Sequence, residues 1–250
     1  MSVKLVMSEL LQRKVRLDDI DDLGRSTITL AIKALEEGKL NEAREFIKYT
    51  VTEGKPLHDL YCDWSYAWYN YIAEKYGEEA LGEASWKSQE VWLDPLLKAL
   101  ADINEPLIIL ALLAEFMRAH RSGPEQIGDC VIYEEKDRFV MEFDPCGSGG
   151  RMRRGDSVDG TPPRTGPPYN LGVTKNAYPW TWGKKGVCYY CIHCCINQIR
   201  SIEVAGYPIW ITEYIDDPSK PCRWIVYKTP DLIPDIYWTC VGKEKPKMKK

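Results

Sequence analysis

The stretch Cys130-Val131-Ile132-Tyr133-Glu134-Glu135-Lys136-Asp137-Arg138-Phe139-Val140-Met141-Glu142-Phe143 is where the chain changes its periodicity. Two runs rich in β-branched and aromatic residues flank Lys136-Asp137, the pattern of a β-hairpin. Before it, apolar residues recur at helical spacing. Ser26 is placed to cap a helix that ends at Gly38, and Asn41 to cap one that ends at Gly54. Pro56 suits a first helical turn and Gly77 a C-terminal cap, so 56–76 is expected to be one long helix. A further helix is expected over 78–101, kinked or split at Pro95, and a central one, apolar nearly all round, over 106–119.

Downstream, a helix over about 194–204 is followed by alternating segments at 207–214 and 223–228, joined by the turn Asp216-Asp217-Pro218-Ser219-Lys220-Pro221. That order predicts an α+β fold: a helical N-terminal half packed on a small antiparallel sheet of about four strands, with a cysteine-bearing helix. Residues 1–125 are expected to be the helical region and 126–242 the cysteine-rich α+β region, integrated into one domain. Residues 243–250 are expected to form a disordered Lys-rich tail.

Between the two strand pairs lies the chemical centre of the sequence. Four of the nine cysteines and one of three histidines fall in Cys188-Tyr189-Tyr190-Cys191-Ile192-His193-Cys194-Cys195. Cys188-x2-Cys191 and Cys191-x2-Cys194 both have the spacing by which a turn of backbone offers two sulfurs to one ion. The competing reading is a helix in which Cys188, Cys191, Ile192, Cys195, Ile199 and Ile202 form an ordinary core stripe. Metal binding needs the first part of the motif to be a turn, which Gly186 permits.

Two further constellations join it. Strand 138–143 runs into Asp144-Pro145-Cys146-Gly147-Ser148-Gly149-Gly150-Arg151, a glycine-rich turn where backbone approaches a ligand closely. Arg151 and Arg153 follow, suited to holding an anionic group or lowering the Cys146 pKa. From Gly147 to Trp180 there is no periodicity but seven glycines and five prolines, the composition of a lid over the cysteines or of a disordered segment. On the helix from Pro56, His58 and Cys62 stand four apart, as do Asp59 and Asp63, so a base and its orienting carboxylate share a face. Trp64 and the tyrosines after it, with Tyr190, suit the wall of a pocket for a flat organic molecule.

The unit of a strand ending near Cys146, a long insertion, a cysteine-bearing helix, and a strand opening Cys222-Arg223-Trp224 resembles the L-2-amino-thiazoline-4-carboxylic acid hydrolase-like and 4-vinyl reductase-like domains. The resemblance covers about 130–228 and implies an α+β fold with a small-molecule pocket. It departs from their pattern at Pro218-Ser219-Lys220-Pro221, where a Gly-Asp turn is usual.

These readings converge on a zinc-thiolate enzyme acting on a small aromatic or heterocyclic molecule, with hydrolase-like cleavage of a C–N or C–S bond. Cys146, Cys188, Cys191, His193 and Cys194 are the expected metal ligands. His193, Cys146, His58 and Asp59 are the expected catalytic groups, and Arg151, Arg153, Trp64 and Tyr190 the substrate-binding ones. In a metal-free variant, Cys146 is the nucleophile. The alternatives are a sensor or binding module with a structural zinc, and an iron–sulfur protein. A net charge of −4 disfavours nucleic acid as a partner, and no apolar run is long enough to span a bilayer. Without a leader pattern, and with an odd, clustered set of cysteines, a reducing cytoplasm is expected.

Overall fold

The computed structural model describes residues 5–246. The fold is α+β, and the chain divides into two compact units, Met1–Tyr61 and Cys62–Lys250. The division therefore falls inside a helix.

In the first unit, strands β1 (Leu5–Ser8) and β2 (Arg13–Arg16) pair antiparallel, a hairpin the helical pattern did not foretell. Arg16 ties the hairpin to the next segment, donating to the carbonyls of Asp22, Leu23 and Arg25 and to Thr27 Oγ1. After the short α1 (Ile20–Leu23), Ser26 caps α2 (Thr27–Glu36) by accepting from the Thr29 amide, as expected. Leu30, Ala31 and Ala34 of α2 then pack on Ala43 and Phe46 of α3 (Leu40–Tyr76). The two helices expected between 41 and 76 are this single α3, which runs through Gly54 and Pro56. Proline forfeits one intrahelical bond there, a local cost that the 37-residue helix absorbs.

The second unit begins with the last turns of α3. Gly77, at φ +93°, separates it from α4 (Glu78–Ile103), which continues through Pro95 without splitting. Helix α5 (Pro106–Ala119) has its expected bounds, but only one face is buried; Leu107, Ile108 and Phe116 are exposed. Strands β3 (Val131–Glu134), β4 (Arg138–Phe143), β5 (Ile211–Glu213) and β6 (Cys222–Tyr227) form one antiparallel sheet in the order β3-β4-β6-β5. Alternate residues of the central strands enter two different cores. Val140 and Ile225 join Ile192, Ile196 and Ile199 of α7 (Ile192–Ala205), whereas Met141 and Val226 join Leu110, Leu113 and Met117 of α5. Helices thus cover both faces of the sheet.

The segment expected to be a lid is tied down along its length. After α6 (Gly149–Arg154), Arg164 forms a two-pronged pair with Asp63 of α3, both distances 3.0 Å. Asn70 accepts from the Gly172 amide at 2.7 Å, and the Tyr66 hydroxyl donates to the Gly172 carbonyl at 2.9 Å. Glu78 accepts from the amides of Lys175 and Asn176 and from the Tyr189 hydroxyl. A segment without periodicity satisfies its backbone through buried side chains, so it is a strap rather than a lid. Past the short α8 (Ile236–Thr239), Lys243 pairs with Glu203 and Lys245 donates to the Ile233 carbonyl. Residues 247–250 of the expected disordered tail lie outside the described residues. No described helix is long and apolar enough to cross a membrane.

Glu78 offers a direct test of the strap. Burial raises its pKa, but the amides of Lys175 and Asn176 and the Tyr189 hydroxyl outweigh that and hold it below the usual 4.5. A depressed carboxyl contributes stability in full above its unfolded value and loses it as pH falls through the folded one, here below 4.5. Glu78→Ala strands the buried Tyr189 hydroxyl and frees the part-buried amides of Lys175 and Asn176, and is expected to cost about 1–3 kcal/mol near neutrality. In native-state hydrogen exchange the Lys175 and Asn176 amides should lose protection first.

Candidate active site

The strand pairing of β4 with β6 sets Phe143 opposite Cys222 at one end of the sheet. Three residues past Phe143 the backbone turns, and Cys146 comes near enough to Cys222 for each thiol to shift the other's pKa. The turn requires glycine at two places. A Cβ on Gly147 would fall 1.8 Å from the His120 carbonyl oxygen, and one on Gly149 would fall 2.6 Å from the Cys191 sulfur and 3.9 Å from that of Cys146. The sulfurs of Cys146 and Cys191 thus both border the space beside Gly149. The cysteine after β4 and the cluster 188–195 are brought together across the strap, as expected.

The turn that metal binding would need and the buried stripe occur together. Tyr189–Cys191 is a single turn of 3-10 helix, with α7 starting at Ile192. Cys188, Cys191, Ile192, Cys195, Ile199 and Ile202 are nevertheless all buried in one core. The sulfurs associate in pairs. Cys188 and Cys191 shift each other's pKa, as do Cys146 and Cys222, while Cys194 Sγ is 3.3 Å from His193 Nε2. Tetrahedral zinc needs at least three protein donors converging on one point, not separate pairs. Among the described residues, no three donor atoms of Cys146, Cys188, Cys191, His193 and Cys194 lie within 4.8 Å of one another. The residues present do not preassemble the expected zinc site.

These groups open onto a cavity of about 370 Å³. Cys146, Cys191, Cys194, Cys222, His120 and His193 reach it, and its walls are mostly aromatic and aliphatic. Trp224 meets Phe143 edge-on at 5.5 Å and leans on Trp210 at 5.9 Å; Trp182 stacks on Tyr214 at 5.2 Å. On the α5 side stand Leu113, Phe116 and Met117. The cavity lies where the two cores meet beyond the end of the sheet.

The charges are set by short-range contacts. The Cys222 hydrogen bond is the main influence on Cys146; burial opposes it, and the Gly150 amide, 2.9 Å from the sulfur, and Ser148 add to it. Together they pull the Cys146 thiol from 9.0 down to about 6. Its partner Cys222 is pushed up by that same hydrogen bond and by burial. Burial, with the charges of Cys146 and Cys188, raises Cys194. Burial holds His193 neutral. Its Nδ1 donates to the Tyr190 carbonyl at 2.5 Å, which leaves Nε2 to accept from the Cys194 thiol.

Tyr190 lines the cavity as expected. Arg151 and Arg153 do not: they are buried supports. Arg151 donates to the Gly147 carbonyl and pairs with Asp63 and Asp156. Arg153 donates to the carbonyls of Ile215 and Asp216 and lies over the Tyr214 ring. Two carbonyl partners and an aromatic face are enough to hold a guanidinium without substrate. Trp64 is exposed on α3 and is not part of the lining. His58 and Asp59 belong to the first unit, where His58 Nδ1 is 2.9 Å from Asp59 Oδ1 and Asp59 also holds Lys55.

Three groups escaped the sequence reading as site residues. Cys222 was visible only as part of a strand motif. Ser148 sat inside a glycine-rich turn, and its hydroxyl meets His120 Nε2. His120 directly follows α5 and carried no local signal. The chain matches no family model, no curated protein and no solved structure.

The thiolate is the reactive form of cysteine, so Cys146 should be the residue that iodoacetamide modifies first. Its rate should rise with pH to a half-point near 6 and then stay flat. Cys222→Ala removes the main donor, and the half-point should move up by at least one pH unit toward the ordinary thiol range. Peptide mapping of the labelled protein checks both outcomes.

Proposed function

We propose that the second unit is a cysteine-dependent enzyme that acts on a small aromatic or heterocyclic molecule and cleaves a C–N or C–S bond. The observation that carries this reading is the position of Cys146. Its sulfur is held by the Gly150 amide and by Cys222 at the head of a cavity walled by aromatic rings. The cavity volume of about 370 Å³ falls in the range of small-molecule sites, and stacking walls select a flat ligand.

In this reading Cys146 attacks an electrophilic sp² carbon of the bound molecule, and water later releases the covalent adduct. The departing nitrogen or sulfur needs a proton. The Ser148 hydroxyl, bonded to His120, is placed beside the nucleophile to relay one. Neutral His193 is the second base that reaches the cavity, and its fixed tautomer keeps Nε2 toward Cys194. The pairing of the sulfurs favours this metal-free chemistry over the zinc-thiolate form, whose donors would have to move to converge.

A panel of aromatic and heterocyclic thioesters, amidines and cyclic thioimidates tests the reading. At least one should give an intact-mass adduct that maps to Cys146 and a turnover that Cys146→Ser lowers by a factor of at least about 10³. A panel that leaves no adduct on Cys146 and no product, with a folded protein, would overturn it. Ser148→Ala should lower kcat by roughly 10²-fold with little change in KM, since a proton relay acts in the transition state.

A further inference from the structure

A nucleophilic cysteine needs no second thiol, yet Cys146 shares its cavity with one, Cys222. Cys222 is the first residue of β6, and Cys146 lies just beyond the end of β4, so the sheet itself holds both sulfurs at one edge. Both line the cavity. A disulfide between them asks for a sulfur–sulfur bond of about 2 Å. Their environment is apolar: Leu113, Phe116, Phe143, Trp210 and Trp224 face the same space.

We propose that Cys146 and Cys222 form a two-electron dithiol centre that reduces organic hydroperoxides bound in the aromatic cavity. The Cys146 thiolate attacks the terminal oxygen of the hydroperoxide. The O–O bond breaks, leaving a sulfenic acid on Cys146 and an alkoxide, which takes the proton of the Cys222 thiol and departs as the alcohol. The Cys222 thiolate then attacks the Cys146 sulfur. A disulfide forms, and the hydroxide lost from Cys146 leaves as water after taking a proton from solvent. The two sulfurs are oxidised and the two peroxide oxygens reduced; a small-molecule thiol returns the pair to its starting state. An apolar substituent on the peroxide supplies binding through the cavity walls, which hydrogen peroxide lacks. This activity rests on the Cys146 nucleophile of the proposed function, though not on hydrolysis.

Fully reduced protein treated anaerobically with one equivalent of cumene hydroperoxide gives the test. The expected result is loss of two thiols, one equivalent of 2-phenylpropan-2-ol, and a peptide that joins Cys146 to Cys222. Hydrogen peroxide at the same concentration should react at least about tenfold more slowly. In Cys222→Ser, dimedone should trap a sulfenic acid on Cys146. A disulfide confined to Cys188 and Cys191 would overturn the proposal. So would sulfinic acid on Cys146 with Cys222 still free, or equal rates with the two peroxides. Iodoacetamide labelling of the same preparation at about pH 6.5 separates the two readings. Fast labelling of Cys146 without the 146–222 disulfide sinks only the dithiol centre, whereas slow labelling removes the nucleophile on which both depend.

Discussion

The pairing of β4 with β6 is the constraint on which the second unit depends. These two strands are buried on both faces, so their register cannot slip by one residue without turning Val140 and Ile225 out of one core and Met141 and Val226 out of the other. That same register places Cys222 opposite Phe143, and hence against Cys146 three residues later. The chemistry at the sheet's end is therefore a by-product of how the core is locked. The polar strap obeys a similar rule: lacking a ladder of its own, it takes its hydrogen bonds from Asp63, Asn70 and Glu78 on the helices beneath it. Arg164 and Arg151 add charge to that anchoring without reaching the cavity.

The parts of the fold that the sequence made legible are those with strong local periodicity. The hairpin 131–143, the strand opening at Cys222, the bounds of α5 and the cap at Ser26 all derive from local pattern and chemistry. What failed were judgements that rest on tertiary context. Pro56 and Gly54 read as punctuation, but a helix embedded in a folded unit tolerates them. The apolar α5 read as buried all round, yet Leu107 and Ile108 are exposed. The strap read as a lid because glycine and proline signal the absence of a regular element, and say nothing of the side chains that bind it elsewhere.

The candidate site divides along the same line. Cys146 and the cluster from Cys188 to Cys195 were visible because unusual residues crowd a short span. That they share one cavity is the work of a turn at glycines, at which composition already hints. The ligand geometry was not legible. CxxC spacing permits two sulfurs on one ion, but here burial and thiol pairing use them first as core and as mutual hydrogen-bond partners. His120 and Ser148 come together over a gap of 28 residues, and nothing in either segment marks the other.

How a thiolate persists in so apolar a place is a matter of competing magnitudes. Moving a lone anion out of water costs several kcal/mol, enough to keep most buried thiols protonated, as with Cys194 and Cys195. Each hydrogen bond to a charged acceptor returns about 1.5–3 kcal/mol. Cys195 receives one such bond, from the Trp182 amide, and its pKa stays high. Cys146 has three sources, Cys222, Gly150 and Ser148, and there the balance reverses. Arginine is not needed for this: the guanidiniums of Arg151 and Arg153 are committed to backbone carbonyls, aspartates or the Tyr214 ring. The lowered pKa of Cys146 follows first from the neighbouring Cys222 thiol and then from the amides of Gly150 and Ser148 that a glycine turn aims at its sulfur, not from a neighbouring cation.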